Sequence, residues 1–251
     1  MRDILVEVCC GSADDVIEAF KAGADRAELN GDLFHGGLTP TVGSLLVAKR
    51  ETGMKIMTMV RPREGGFCYT DAEFAVAVED AKQLLAAGSD GLVFGFLHED
   101  GTVDAERTAV LTRLALSAGK EAVFHRAIDV TPDWRAALDI LIDLGVTRVL
   151  TSGQEPDVAY GTETVREMIS YAAGRIQILP GAGITLRNFR RIVEETGTRQ
   201  IHLAAHRQLA DPSVHNNRSI FYGGCLYPPE DRFSITDREY ISSVVTGLGT
   251  L

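Results

Sequence analysis

Residues 4–30 read ILVEVCCGSADDVIEAFKAGADRAELN, and this stretch decides the fold class. ILVEV (4–8) is an apolar run of strand length. Gly11 and Ser12 turn the chain, and ADDVIEAFKAG carries its apolar residues at helical spacing. Ser12 is placed to cap that helix and Gly23 to close it. RAELN (26–30) then returns to the period-two alternation of a strand. Two strands joined through a helix must run parallel, so the stretch is a βαβ unit.

The unit repeats along the chain. KIMTMV (55–60), GLVFG (91–95), EAVFH (121–125), TRVLT (147–151), IQIL (176–179) and QIHLA (200–204) are further strand signals. Between them the pattern predicts helices near 40–52, after the capping box that starts at Thr70, near 104–118, 132–144 and 161–173, and after Thr185. A last helix, 236–247, is predicted to open on a second box, Thr236 to Glu239. Eight strands alternating with helices, without a linker-like break in composition, predict one (β/α)8 barrel over residues 1–251. The segment of about 207–235 interrupts the pattern and is expected to be irregular. An open doubly wound sheet is the rival, but the first turn, CCGSAD, lacks the GxGxxG of a dinucleotide fold.

Of the 251 residues 45% are hydrophobic, enough for a large core. The formal net charge of −10 argues against nucleic acid or an anionic membrane as partner. No apolar run approaches the ~20 residues of a membrane span, and MRDILVEVCC lacks the layout of a signal peptide. The four cysteines, Cys9, Cys10, Cys68 and Cys225, form no CxxC, which suits a reducing compartment. The expectation is a cytoplasmic protein.

Barrels of this kind work at the C-terminal ends of their strands. Strand parity puts Glu7 and Cys9 on one side of the first strand, Glu28 and Asn30 on one side of the second, and Met57, Met59, Arg61 and Arg63 on one side of the third. His125 on the fifth strand, and His202 and His206 on the eighth, likewise oppose apolar sets. With the apolar sets against the helices, Glu7, Glu28, Arg61, His125 and His202 converge on the barrel axis. Arg126 has the opposite parity and reaches the mouth only if the strand has already ended. Asp129, in the loop beyond, is placed to pair with Arg126 or to orient a histidine. Gly181 and Gly183 follow the seventh strand, where backbone N–H groups often cradle phosphate, and RPREGGF (61–67) reads as an anion clamp on a glycine-rich loop.

These residue types suit lyase- or isomerase-type acid–base chemistry on a small anionic or phosphorylated molecule. The arginines would bind the anionic group, Glu7 or Glu28 would act as base, and His125 as acid or electrophile. No lysine ends a strand, which disfavours Schiff-base chemistry. A divalent metal on Glu7, Glu28 and a histidine is a second option. A buried charge network with no ligand is the third.

Several segments together resemble the CutC family of copper homeostasis proteins. They are VEVCCGS (6–12), AGADRAELNGDLFHGGLTP (22–40), MVRPREGGFCYTDAE (59–73), DGLVFGFLHEDGTVD (90–104), FHRAID (124–129), LGVTRVLTSG (144–153) and LPGAGIT (179–185). The resemblance implies a TIM barrel, a cytoplasmic homodimer or higher homo-oligomer, and a link to copper ion binding. It also implies a Cu(I) pair made by a cysteine at position 9 and another at position 30. Cys9 is present, but Asn30 stands at the second position, and an amide is a poor ligand for soft Cu(I).

Overall fold

The computed structural model describes residues 3–223 and 229–249. Eight parallel strands form the expected barrel: β1 (Leu5–Cys10), β2 (Arg26–Leu29), β3 (Lys55–Met59), β4 (Gly91–Phe94), β5 (Glu121–Phe124), β6 (Arg148–Thr151), β7 (Gln177–Pro180) and β8 (Gln200–Leu203). They are ordered β7-β6-β5-β4-β3-β2-β1-β8. The barrel is nearly closed. Between β7 and β8 no ladder is formed among the described residues, and a side chain spans the seam instead: Gln200 Nε2 donates to Gln177 Oε1 at 3.3 Å and to the Ile178 carbonyl at 3.5 Å.

The helices follow the strands as the sequence predicts: α1 (Ala13–Lys21), α2 (Val42–Thr52), α3 (Asp71–Ala86), α4 (Ala105–Ser117), α5 (Trp134–Asp143), α6 (Thr162–Ala172), α7 (Phe189–Thr196) and α8 (Arg238–Leu248). Ser12 caps α1 by accepting from Asp15 N at 3.1 Å, and Gly23 beyond it takes the left-handed conformation, φ 83°. Both halves of the Thr70–Glu73 capping box are formed at α3.

One predicted cap is displaced. Thr236 ends a strand rather than opening α8, and Asp237 caps the helix by accepting from Tyr240 N at 3.0 Å. The reason is that Thr236 is taken up by an antiparallel pair, β9 (His206–Ala210) with β10 (Arg232–Thr236). The segment expected to be irregular is therefore bracketed by a two-stranded sheet. Cys225 lies outside the described residues.

The pleat sorts the strand residues as parity predicts. Val6, Val8, Ala27, Leu29, Phe94 and Phe124 are buried in the layer between sheet and helices. Met57, Met59, Val93 and Val123 form a separate apolar cluster. Those four share the inward parity, so they plug the middle of the barrel and leave polar side chains below and above. Among the described residues, no helix is long and apolar enough to cross a membrane.

Candidate functional site

Parallel register assembles the first wall of the mouth. Cys9 lies opposite Glu28 in the β1–β2 ladder, and Glu7 opposite His202 in the β1–β8 ladder. Because inward residues recur every second position, Cys9, Glu28 and His202 come together, with one potential ligand atom from each all within 4.8 Å of one another. Cys9 Sγ lies 4.0 Å from Glu28 Oε1. Asn30 closes the cluster, its Nδ2 donating to Glu28 Oε1 at 3.0 Å and approaching Cys9 Sγ to 3.6 Å.

Glu7 stands one step deeper. Arg26 Nε donates to its Oε2, and its Oε1 accepts from His202 Nδ1 at 2.8 Å. Burial works to raise the Glu7 carboxyl, but Arg26 and then His202 outweigh it and hold the carboxyl at about 2. An ionised Glu7 fixes the imidazole orientation and turns Nε2 of His202 towards the cluster, where a metal ion would bind by displacing the Nε2 proton. Burial alone would lower the His202 pKa; Glu28, Cys9 and Glu7 together lift it well above the usual histidine value. The Glu28 carboxyl is raised, chiefly by burial, with Glu7 adding to the effect and His202 and Asn30 opposing it. Burial also raises the Cys9 thiol.

The opposite wall comes from β3, β5 and the loops after them. Arg61 is buried and ties two loops together: Nη1 donates to the carbonyls of His35 and Gly37, both at 3.1 Å, and Nη2 to that of Gly65 at 2.7 Å. His125 follows the last residue of β5, and its Nδ1 accepts from Ala127 N at 3.1 Å, so the ring proton sits on Nε2. Burial, with the Arg61 and Arg126 charges behind it, lowers His125 to about 3 and keeps the imidazole neutral. Gly95 makes room for this ring: a Cβ there would meet His125 Cε1 at 2.4 Å. Phe67 packs on both groups, its centroid 4.7 Å from the His125 ring and 5.5 Å from Arg61 Cζ.

Between the walls lies a cavity of about 470 Å³, lined by Cys9, Glu28, Asn30, Arg61, His125, Arg126, Gly183 and His202 among others. Eight of the expected site residues thus line one space. Arg126 reaches it because β5 ends at Phe124 and a short 3₁₀ turn, Arg126–Val130, follows. Asp129 does not line it and orients no histidine. Its carboxylate accepts from Arg126 Nε at 2.8 Å, Ser152 N at 3.0 Å and Thr151 Oγ1 at 2.5 Å, which pins Arg126 and the β6 loop.

Three expectations are corrected by the geometry. Glu7, expected as a general base, does not line the cavity, because Arg26 and His202 consume its oxygens. Arg63, expected as half of an anion clamp, turns outward: Nε pairs with Glu73 Oε1 at 2.7 Å, and the guanidinium lies over the Tyr69 ring. The β3 strand has ended by then, so strand parity no longer governs its direction. Gly181 does not line the cavity either. It packs against Leu150 and His202, where a Cβ would come within 2.7 Å of Leu150 Cδ1. Gly183 does line the cavity at φ 75°, but an acidic group already presses on it, since a Cβ there would meet Asp157 Oδ2 at 2.0 Å. His206 is exposed on β9. Sequence reading missed Arg26 and Phe67. Arg26 has the parity of Glu28 and was legible; Phe67 lies in a loop, where no periodicity points to it.

A family model described as the CutC family matches residues 4–207. A CutC family protein of Treponema denticola is 51% identical over 248 residues, covering 99% of this chain and 100% of the relative. The human copper homeostasis protein cutC homolog is 39% identical over 233 residues, covering 93% of this chain and 85% of the relative. The crystal structure of CutC from Streptococcus agalactiae superposes with a TM-score of 0.75 at 34% identity, covering 80% of this chain and 98% of that one.

Proposed function

This chain belongs to the CutC family, and on that premise we propose that its barrel mouth binds a metal ion through Cys9, Glu28 and His202. The observation that carries the reading is the cluster itself: three donors from three adjacent strands, within 4.8 Å of one another, in the wall of a cavity. Glu7 behind His202 is the carboxylate that orients a ligating imidazole in many metal sites. Copper is the metal to try first, since the human relative is named a copper homeostasis protein.

The donor set bears on the oxidation state. Two thiolates are not available here, because Asn30 occupies the place beside Cys9 and Cys10 points into the outer core. One sulfur, one imidazole nitrogen and one carboxylate oxygen fit a borderline divalent ion, Cu(II) or Zn(II), better than Cu(I). Such an ion, when bound, supplies Lewis-acid polarisation of an oxygen on a neighbouring ligand. The chain's own residues do the rest: Glu7 fixes the imidazole, Asn30 holds Glu28, and Arg61 and Arg126 set a positive wall opposite. The free thiols of Cys9, Cys10 and Cys68 are in keeping with a cytoplasmic setting.

Calorimetric titration with Cu(II), Zn(II) and chelator-buffered Cu(I) tests the reading. One ion per chain is expected, with affinity at least roughly tenfold weaker in both Cys9→Ser and His202→Gln. Unchanged affinity in both variants, or no binding by any of the three ions, overturns it. A second reading, acid–base chemistry on a small anionic molecule, is favoured by the two arginines and neutral His125 that line the same cavity.

A further inference from the structure

The charges around the cavity cancel on one wall and not on the other. On the cluster side Arg26 pairs with Glu7, and His202 stands between Glu7 and Glu28. On the opposite wall Arg126 pairs with Asp129 at 2.8 Å, but Arg61 has no carboxylate within 4 Å among the described residues. Its partners are the carbonyls of His35, Gly37 and Gly65 and the hydroxyl of Tyr69, a phenol that burial keeps neutral. A guanidinium does not give up its proton, so Arg61 is a buried cation without a counter-ion.

Arg126 supplies the accessible surface of that wall. Its Nε donates to Asp129 Oδ2 and its Nη2 to Ser152 Oγ, both at 2.8 Å, which fixes one edge of the guanidinium. Asp129 is itself buried and held by Thr151 Oγ1 at 2.5 Å and Ser152 N at 3.0 Å, so the support is rigid. Nη1 has no acceptor among the described residues, and it is not buried: the side chain is 40% exposed and lines the cavity.

We infer that this wall binds a small monocarboxylate, with Nη1 of Arg126 as the point of contact and the buried charge of Arg61 behind it. The inference names a substrate class for the second reading of the proposed function and rests on that reading. One uncompensated positive charge is matched by one negative charge. A carboxylate carries one, whereas a phosphate monoester carries about 1.5 to 2 at pH 7. The place where such barrels cradle phosphate is also closed. Asp157 stands against Gly183, where an added Cβ would meet its Oδ2 at 2.0 Å, and its charge would repel a dianion. Met59, Phe67, Leu150 and Ile184 line the same cavity with apolar surface, which suits a short aliphatic chain on the acid.

The test uses metal-free full-length protein labelled with ¹⁵N. Propionate, propionamide and inorganic phosphate are titrated separately at low ionic strength, and backbone amide shifts give the affinities. Propionate is expected to bind saturably and at least roughly tenfold more tightly than propionamide, which has its shape without its charge. Arg126→Gln should weaken propionate binding roughly tenfold, and Arg126→Lys, which keeps the charge, by less. Equal affinity for propionate and propionamide overturns the inference, and so does equal propionate affinity in wild type and Arg126→Gln. Should Arg126→Gln fail to fold, the wild-type comparison and Arg126→Lys still decide. Binding of phosphate but not propionate overturns the carboxylate class and leaves the second reading standing; binding of neither anion removes both. Propionate binding that survives in Cys9→Ser supports the assignment to the Arg126 wall. Its loss there would put the anion on the cluster instead and overturn it.

Discussion

The interior of this barrel is polar at both ends, and the two ends use their polar groups differently. At the lower end the charges answer one another. Arg26 pairs with Glu7 and donates to Gln200 Oε1 at 3.0 Å, while Glu121 accepts from both Lys55 and Arg148. Arg148 also donates to Gln177 Oε1 at 3.1 Å, and only its Nη1 is left over. At the mouth, beyond the Met57–Val123 plug, the groups face a cavity. Cys9, Glu28 and His202 stand together, and Arg61 and His125 line the wall across from them. Inward parity produced both ends. What separates them is whether partners of opposite character fall at the same height, which makes a network, or whether space is left between them, which makes a site.

The largest effect is expected from breaking the lower network. Arg26→Met leaves Glu7 as a buried carboxylate with His202 and the more distant Arg148 to answer it, and should cost ~3–5 kcal/mol in urea unfolding. Adding Glu7→Gln should restore part of that loss. A cost well under ~1 kcal/mol for Arg26→Met would erase the distinction between the two ends.

A smaller effect, dependent on pH, is expected at the mouth. His125 is held at about 3 in the folded protein, against 6.5 for the free side chain. Between those values the unfolded chain binds a proton that the folded chain does not. Falling pH therefore destabilises the wild type across that window, by up to about 1.4 kcal/mol per pH unit. His125→Gln should show a slope shallower by up to one proton when unfolding free energy is followed from neutral pH downward. Parallel curves would mean that His125 is charged in the fold, and its role as a neutral donor would go with it.

The smallest effect is expected at Arg63, which sits on the rim with Glu73 and Tyr69. Arg63→Ala should leave metal affinity unchanged and lower Tm slightly, as for other exposed pairs. A marked loss of ligand affinity would put Arg63 back in the site.

Much of this is legible in the residues. The βαβ stretch at 4–30 and its repeats carry the barrel, and period-two alternation alone aims Glu28, Asn30, Arg61, His125 and His202 at the axis. Parity gives out where strands end. It does not show that Arg63 turns outward, that Phe67 folds over two donors, or that Thr236 pairs with His206 instead of capping α8. Each depends on contacts made across the sequence, which local pattern does not encode.

The sequence by itself determined the barrel, the inward set of side chains and the family, because alternation and strand–helix rhythm are local properties of the chain. Only the tertiary structure decided which inward groups cancel and which remain available. That depends on the height at which parallel register brings residues of different strands together. Arg26 reaching Glu7, and Glu28 meeting Cys9 and His202, are facts of register alone.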